Sequence, residues 1–385
     1  MQQALSFLKV LDLSSNLPGP YMTWLLASMG ADVVKVENPL GGDNSRSLGG
    51  GYSGELSPPF EAVNRNKRSV TLNLKHPQGR DLFLRLLDRY DVLVEGFRPG
   101  TMDRLGLSYE VLTARQPALI QVAISGYGQD GPNRLRAGHD VNYLSLAGIL
   151  GMTGSKDGVP AIPGVQVADI AGGSLPALAG LLAALIQRQL TGKGQFVDVS
   201  MFHGVLSLAT MVMSGVARGL EEPLPGKMLL NGRFPCYGLY RTKDGRYMSL
   251  GALEFKFWEN FCHAVCRDDL IQGQFGGPEV VRAVEEIFLG RTMQEWGAHL
   301  AEQDCCCEPV LTLIEAADSE LVSFRGMLDT MPHGGRQLTS PLQLSGSPNS
   351  DGRPSPGLGE HTREVLGSLG LTAEELERLA RDSVI

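Results

Sequence analysis

The sequence lacks a basic block, a secretory leader and any apolar run as long as a bilayer is thick. Met1 to Ser14 show no cationic segment followed by a long apolar one, so no signal peptide is expected. The most apolar stretch, Leu175 to Ile186, is closed off by Gln187 and Arg188, short of the ~20 residues that a membrane span requires. It reads as a buried helix, and the protein as cytoplasmic with no membrane partner. Lysine and arginine together number 34 against 42 acidic residues, a net charge of −8, which argues against a nucleic-acid partner. Cysteine is sparse: six residues, all between Cys236 and Cys307, three of them adjacent at Cys305-Cys306-Cys307. They offer neither a regular disulfide framework nor the paired C-x₂-C sets of a zinc site. Reduced structural thiols and no metal site are expected. G-x-x-x-x-G-K-[ST] and G-x-S-x-G are both missing, which removes the main support for P-loop phosphoryl transfer and for esterase chemistry.

Glycine is what the chain has in excess, 48 residues of 385, against a usual share of about 7%. Such abundance points to many tight turns and close backbone approaches. A hydrophobic content of 43% supports a sizeable core. The opening alternates strand and helix: Val10 to Leu13 as strand, Tyr21 to Met29 as helix with Gly30 at its end, and Ala31 to Glu37 as strand. Ser69 to Leu74, Asp91 to Glu95, Ala118 to Ser125 and Gln195 to Val199 read as further strands, with helices at Gln78 to Arg89 and Leu175 to Gln189. This alternation predicts an α/β fold built on a parallel sheet. The character changes near Pro223. Cys236 to Leu250 has a hairpin pattern around Lys243-Asp244-Gly245, and Phe255 to Glu302 reads as helical. We therefore divide the chain into a large domain, 1–224 with 326–385, and a smaller α+β domain, 225–325. Gly326 to Glu360 is rich in Gly, Pro and Ser and reads as irregular. Thr372 and Glu375 form a capping box opening a helix to Arg381.

One motif tempts toward a dinucleotide enzyme. Gly126-Tyr127-Gly128-Gln129-Asp130-Gly131 matches G-x-G-x-x-G after a strand, but Pro132 follows and no amphipathic helix begins. The fingerprint works by seating pyrophosphate on that helix's N-terminus, so an NAD enzyme is not expected. Three other positions bear chemistry. His139-Asp140 interrupts a loop–helix junction, Asp169 precedes Ala171-Gly172-Gly173-Ser174, and Glu254 separates a strand-like run from aromatic Phe255 to Trp258. Asp140 and Asp169 could each cap the helix that follows, and Glu254 could complement a helix dipole. The glycine-rich exit of Asp169 adds the option of backbone amides stabilising an oxyanion, whether an enolate or a tetrahedral adduct.

Taken together, these and other segments resemble the superfamily of family III CoA-transferases and α-methylacyl-CoA racemases. The likeness runs through Leu13 to Pro20, Ala31 to Glu37, Asn66 to Lys75, Glu95 to Gly100, Ser125 to Pro132, Ala168 to Gly173, Thr191 to Gln195 and Gly359 to Thr362. In the transferases the aspartate matching Asp169 is a nucleophile; in the racemases it is one of two acid/base groups flanking the α-carbon. The racemase branch carries Gly-His-Asp-x-Asn-Tyr and Gly-Ala-x-Glu, matched by Gly138 to Tyr143 and Gly251 to Glu254. The resemblance therefore implies an acyl-CoA racemase or epimerase, with a CoA-transferase as the alternative. His139 and Asp169 would serve opposite faces, with Asp140 and Glu254 supporting the histidine side. Met201, Met211 and Met213 would line an acyl surface or simply pack a core. It further implies a Rossmann-like large domain and an interlocked, ring-like homodimer. CoA, part of the substrate and not a resident cofactor, would meet Arg98, Leu72 and Lys75, with Lys67, Arg68 and the Gly126-Tyr127-Gly128 turn nearby. Asn38 departs from the basic residue common after Val36-Glu37, which shifts adenine-end recognition toward Lys35, Lys67 or Arg68.

Overall fold

Val10 and Leu11 are wholly inaccessible in strand β1 (Lys9–Asp12), as befits a strand covered on both faces. The computed structural model describes residues 3–48, 57–331, 334–349 and 352–385. The chain divides into two units. Met1–Ala147, Gly164–Leu208 and Phe324–Ile385 form the first; Gly148–Pro163 and Ala209–Ser323 form the second. Residues 148–163 thus associate with the second unit, contrary to the division read from sequence. Local bonding explains this, since Asn231 Nδ2 reaches the carbonyl of Met152 at 3.5 Å and the Lys156 side chain packs over Gly226.

The first unit is built on six parallel strands in the order β3-β2-β1-β4-β5-β6. The others are β2 (Asp32–Glu37), β3 (Arg68–Thr71), β4 (Val92–Glu95), β5 (Ile120–Ser125) and β6 (Phe196–Ser200). Val10 sits beside Val33 on one side and Val92 on the other. Helix α1 (Pro18–Ser28) follows β1 with prolines in its first turn and is buried on nearly every side. It begins three residues before the predicted start because Pro18 and Pro20 are tolerated in a first turn. Helix α2 (Pro77–Leu87) connects β3 to β4. The long crossover from β5 to β6 carries α3 (Asp140–Leu146) and one helical run, Val167–Thr191. That run is 25 residues, by length and composition enough to cross a membrane, where the sequence marked only a dozen apolar residues. A π-helical turn at Ile170–Ser174 joins Val167–Asp169 to α4 (Leu175–Thr191) and so extends it. Ala177, Leu181 and Ala184 are buried where α4 lies against β5 and β6, as a crossover helix does.

The C-terminal segment completes this unit. Thr71 donates its amide to Thr362 Oγ1 at 3.0 Å, and Asn73 donates to the carbonyl of Val384 at 2.8 Å. The Thr372–Glu375 capping box opens the helix Ala373–Arg381, as the sequence predicts. Within the stretch read as irregular, Leu328–Thr330 and Arg336–Leu338 pair as a short antiparallel ribbon; residues 332–333 and 350–351 of it lie outside the described residues.

The second unit centres on an antiparallel sheet ordered β7-β8-β9: β7 (Tyr237–Arg241), β8 (Tyr247–Gly251) and β9 (Cys307–Pro309). The turn between β7 and β8 contains the predicted Lys243-Asp244-Gly245. Tyr240, Trp258, Phe261, Phe288 and Trp296 form its aromatic core, Phe288 at the end of α6 (Pro278–Phe288). The six cysteines are free thiols, four of them buried. Burial pushes Cys305 up to about 11, far from the thiolate that reactivity requires.

Charge is buried at the carboxyl end of β1. Asp12 receives the Ser14 amide at 2.9 Å, the Thr23 hydroxyl at 2.6 Å and the Lys67 ammonium at 3.2 Å, and Asp12 and Lys67 are both fully enclosed. Burial alone would raise the Asp12 carboxyl, but Lys35 and Lys67 outweigh it and hold Asp12 at about 2. Burial drags Lys67 down to about 7. Removing one member of a buried pair costs about 3–5 kcal/mol. Asp12→Ala should lose that much in denaturant unfolding, and more than Lys67→Met, because the lone ammonium would remain beside Lys35 whereas the lone carboxylate keeps Lys35 and two hydroxyls.

Candidate active site

Loops leaving β1 to β4 meet at the carboxyl edge of the sheet, where the strand order reverses between β1 and β4. Such switch points are the usual ligand crevices of open parallel sheets. Here Ser14 and Ser15, Asn38 and Asp43, Leu72 to Lys75, and Phe97 with Thr101 enclose a cavity of about 370 Å³. Leu72 and Lys75 lie where the sequence placed them, Lys75 exposed to the opening. The other nominated cations divide sharply. Lys67 is consumed by Asp12, the Pro20 carbonyl and Asn64. Arg68, at the opposite end of β3, grips Asp32 with both carboxylate oxygens at 2.8 Å and reaches Glu364. Lys35 is buried, bonded to the Ser14 carbonyl at 2.7 Å and to Asp43 at 2.8 Å. None of the three is free for a ligand phosphate. Arg98 is exposed on the loop between lining residues Phe97 and Thr101, so Lys75 and Arg98 remain as the available cations among those nominated.

The crossover from β5 brings His139, Asp140 and Asp169 together. Tyr143 packs edge-on against Tyr127 and crowds both Gly126 and Gly138, where an added Cβ would come within 2.7 Å of its ring. Its hydroxyl donates to the Gly138 carbonyl at 2.7 Å. Gly126 and Tyr127 thereby seat the start of α3 at the carboxyl edge of β5; no helix follows Gly131, consistent with rejecting a dinucleotide fingerprint. His139 occupies the N-cap position, its amide donating to Asn142 Oδ1 at 3.0 Å, and its ring is exposed. Asp140 does not cap its own helix. Its Oδ1 accepts the amides of Ala168 at 2.6 Å and Asp169 at 3.0 Å, so the buried carboxylate next to His139 anchors the backbone of Asp169. Burial, and then the Asp140 charge, push the Asp169 carboxyl up to about 7. Burial and the nearby Asp169 likewise push Tyr143 up to about 12, while Arg98 opposes the rise; Arg98 is therefore close enough to act on this cluster.

The glycines after Asp169 serve packing. Helix α5 (Met201–Ser207) crosses the π-helical turn so closely that a Cβ on Gly204 would lie 1.9 Å from the Gly172 carbonyl, and one on Gly173 would meet Met201 at 2.9 Å. The close approach that the sequence anticipated is of helix to helix. A π turn is itself a common mark of functional sites. Ser174 Oγ lies 2.7 Å from the Pro18 carbonyl and 3.1 Å from that of Asp169, tying this turn to the loop that leaves β1 for the crevice. Met201 is buried, while Met211 and Met213 are exposed in the second unit.

Glu254 stands in the second unit, exposed, at the N-cap of Phe255–Ala264 without bonding that helix through its side chain. Gln274 fixes the approach to it, donating to the carbonyls of Ala252 at 3.0 Å and Leu253 at 2.8 Å. Glu95 was not foreseen. It ends β4, is 4% exposed, accepts the Phe97 amide at 2.8 Å, and is pushed up to about 7 by burial. The available signal was that β1, β2 and β4 all end in an acid: Asp12, Glu37 and Glu95.

The sequence model of CoA-transferase family III matches residues 5–362. The chain belongs to that family. The family's enzymes similar to this chain include both racemases and transferases. It is 35% identical to the human alpha-methylacyl-CoA racemase over 99% of this chain and 97% of the relative. It is 32% identical to the beta subunit of succinyl-CoA–L-malate CoA-transferase of Chloroflexus aurantiacus, over 99% and 98%. The crystal structure of a CAIB/BAIF family protein from Brucella suis superposes with a TM-score of 0.83 at 30% identity, covering 96% of this chain and all of that one.

Two outcomes follow from this geometry. Overpacking a tight contact costs about 1–3 kcal/mol, so Gly204→Ala should destabilise the fold by that much in chemical denaturation. A carboxyl whose folded pKa is raised gives stability that is present below its unfolded pKa and lost as pH climbs to the folded value. Asp169→Asn removes that loss. Its thermal stability relative to the parent should improve progressively from about pH 4 to about pH 7 and level off above.

Proposed function

We propose that the protein is an acyl-CoA racemase or epimerase, inverting the α-carbon of a 2-methylacyl-CoA thioester by proton exchange through an enolate. The observation that carries this reading is the Asp169 carboxyl, pushed up to about 7 and joined through Asp140 to the helix start that bears His139. Near neutrality such a group is present in both protonation states, so it can remove the α-proton or return one. A nucleophilic carboxylate works only when ionised and gains nothing from an environment that protonates it. His139 serves the opposite face, and Glu254 belongs to the histidine side. The CoA moiety occupies the crevice, with Lys75 toward the adenine end and Arg98 toward the phosphates. No resident cofactor is needed. The family's interlocked homodimer goes with the same reading.

The second reading is a CoA-transferase in which Asp169 attacks the thioester, favoured by the similarity to the Chloroflexus aurantiacus enzyme. Solvent deuterium separates the two. With 2-methylacyl-CoA in D₂O and no acceptor acid, the α-carbon should exchange, and His139→Ala or Asp169→Asn should abolish exchange of the proton each removes. Proton abstraction by Asp169 should fall as pH drops below about 7, where the carboxyl protonates. Absence of exchange, together with hydroxylamine capture of an acyl adduct at Asp169, would make the protein a transferase.

A further inference from the structure

The largest cavity of the second unit, about 870 Å³, is of the size that holds a small-molecule ligand. Its floor is one face of the β7–β8 hairpin. Alternation sends Tyr240 and Met248 into the core and turns Tyr237, Leu239, Arg241 and Tyr247 toward the cavity. The hairpin gives it two ends. Tyr237 pairs with Gly251 at one, and Arg241 with Tyr247 at the other, about 13 Å apart at the rise of a strand. Gly251 donates to the carbonyl of Cys306 at 2.9 Å, and Ala252-Leu253-Glu254 follow directly. The first end therefore adjoins the carboxylate that the proposed reaction uses.

The far end is cationic. Arg241 is exposed and has no ion-pair or hydrogen-bond partner among the described residues. Lys156 Nζ lies 3.6 Å from Glu285 Oε1, both about half exposed, a separation and a setting in which an ion pair contributes little. These are the charged side chains of the lining, and they leave one positive charge in excess. Leu230, Leu239 and Leu289 supply apolar wall between the ends. A neutral hydrocarbon tail filling the cavity would strip water from Arg241 and return nothing for it. A terminal carboxylate would instead meet a planar two-pronged donor.

We infer that this cavity receives the acyl chain and that Arg241 selects chains ending in a carboxylate, making ω-carboxyacyl-CoA thioesters the preferred substrates. The inference rests on the racemase reading for the reaction itself, and on the cavity for the selection. The test compares 2-methyldecanoyl-CoA with its ω-carboxy counterpart, 2-methyldecanedioyl-CoA, in the deuterium-exchange assay on the full chain. The diacid should be favoured in kcat/KM by roughly tenfold, the scale of one partly exposed charge-assisted hydrogen bond, and Arg241→Gln should bring the ratio close to one. An equal or reversed preference, or a ratio unmoved by Arg241→Gln, overturns it. Unreactive thioethers, S-decyl-CoA and S-(ω-carboxynonyl)-CoA, read the cavity without chemistry by calorimetry. Should exchange fail with both substrates while the carboxylated thioether still binds more tightly through Arg241, the racemase reading falls and the cavity's selectivity stands. Equal binding of the two thioethers sinks the selectivity.

Discussion

The Asp140 carboxylate holds the crossover between β5 and β6 together. Between residue 140 and the amides of Ala168 and Asp169 that it receives, the chain leaves the first unit at Gly148 and re-enters at Gly164. Without a contact that spans the excursion, the helix start carrying His139 and the one carrying Asp169 would have no fixed relation. A charged acceptor is suited to the task, because bonds to ionised groups are shorter and stronger than neutral ones. The same charge disfavours ionisation of Asp169. One group thus fixes a position and adjusts an acidity, and the two effects cannot be altered independently.

A second set of charges works behind the crevice. Lys35 braces the Ser14 carbonyl and Asp43; Asp43 in turn receives the Asn16 amide at 2.9 Å, and Glu37 binds Arg46 at 2.7 and 2.8 Å. These contacts shape the loops after β1 and β2 that line the cavity, and they are nearly dry. Cations so enclosed are spent on the scaffold. Motif residues beside a ligand site are therefore not always ligands, and exposure divides Lys75 and Arg98 from Lys35, Lys67 and Arg68.

Much of the fold was legible. Short apolar runs with β-branched residues and turn signals marked the strands of the parallel sheet and the β7–β8 hairpin, and the Thr372–Glu375 capping box marked the last helix. These are local signals, written in periodicity and in residues whose backbone preference is strong. Boundaries slipped where a local rule had an exception: two prolines started α1 early, and a π turn lengthened the helix through Asp169. The assignment of residues 148–163 to the second unit was not legible, because it depends on long-range partners such as Asn231.

By itself the sequence determined the family, the alternation that makes a parallel sheet, and the identity of His139, Asp169 and Glu254 as chemically able groups, since residue type and spacing are properties of the chain alone. It did not determine what each charge faces. That Asp140 holds the Asp169 backbone, that Gly172 admits a helix, and that Lys67 sits across from Asp12 were decided by tertiary structure. Burial and the distance between remote residues set a group's protonation and its partners, and neither exists until the chain has folded.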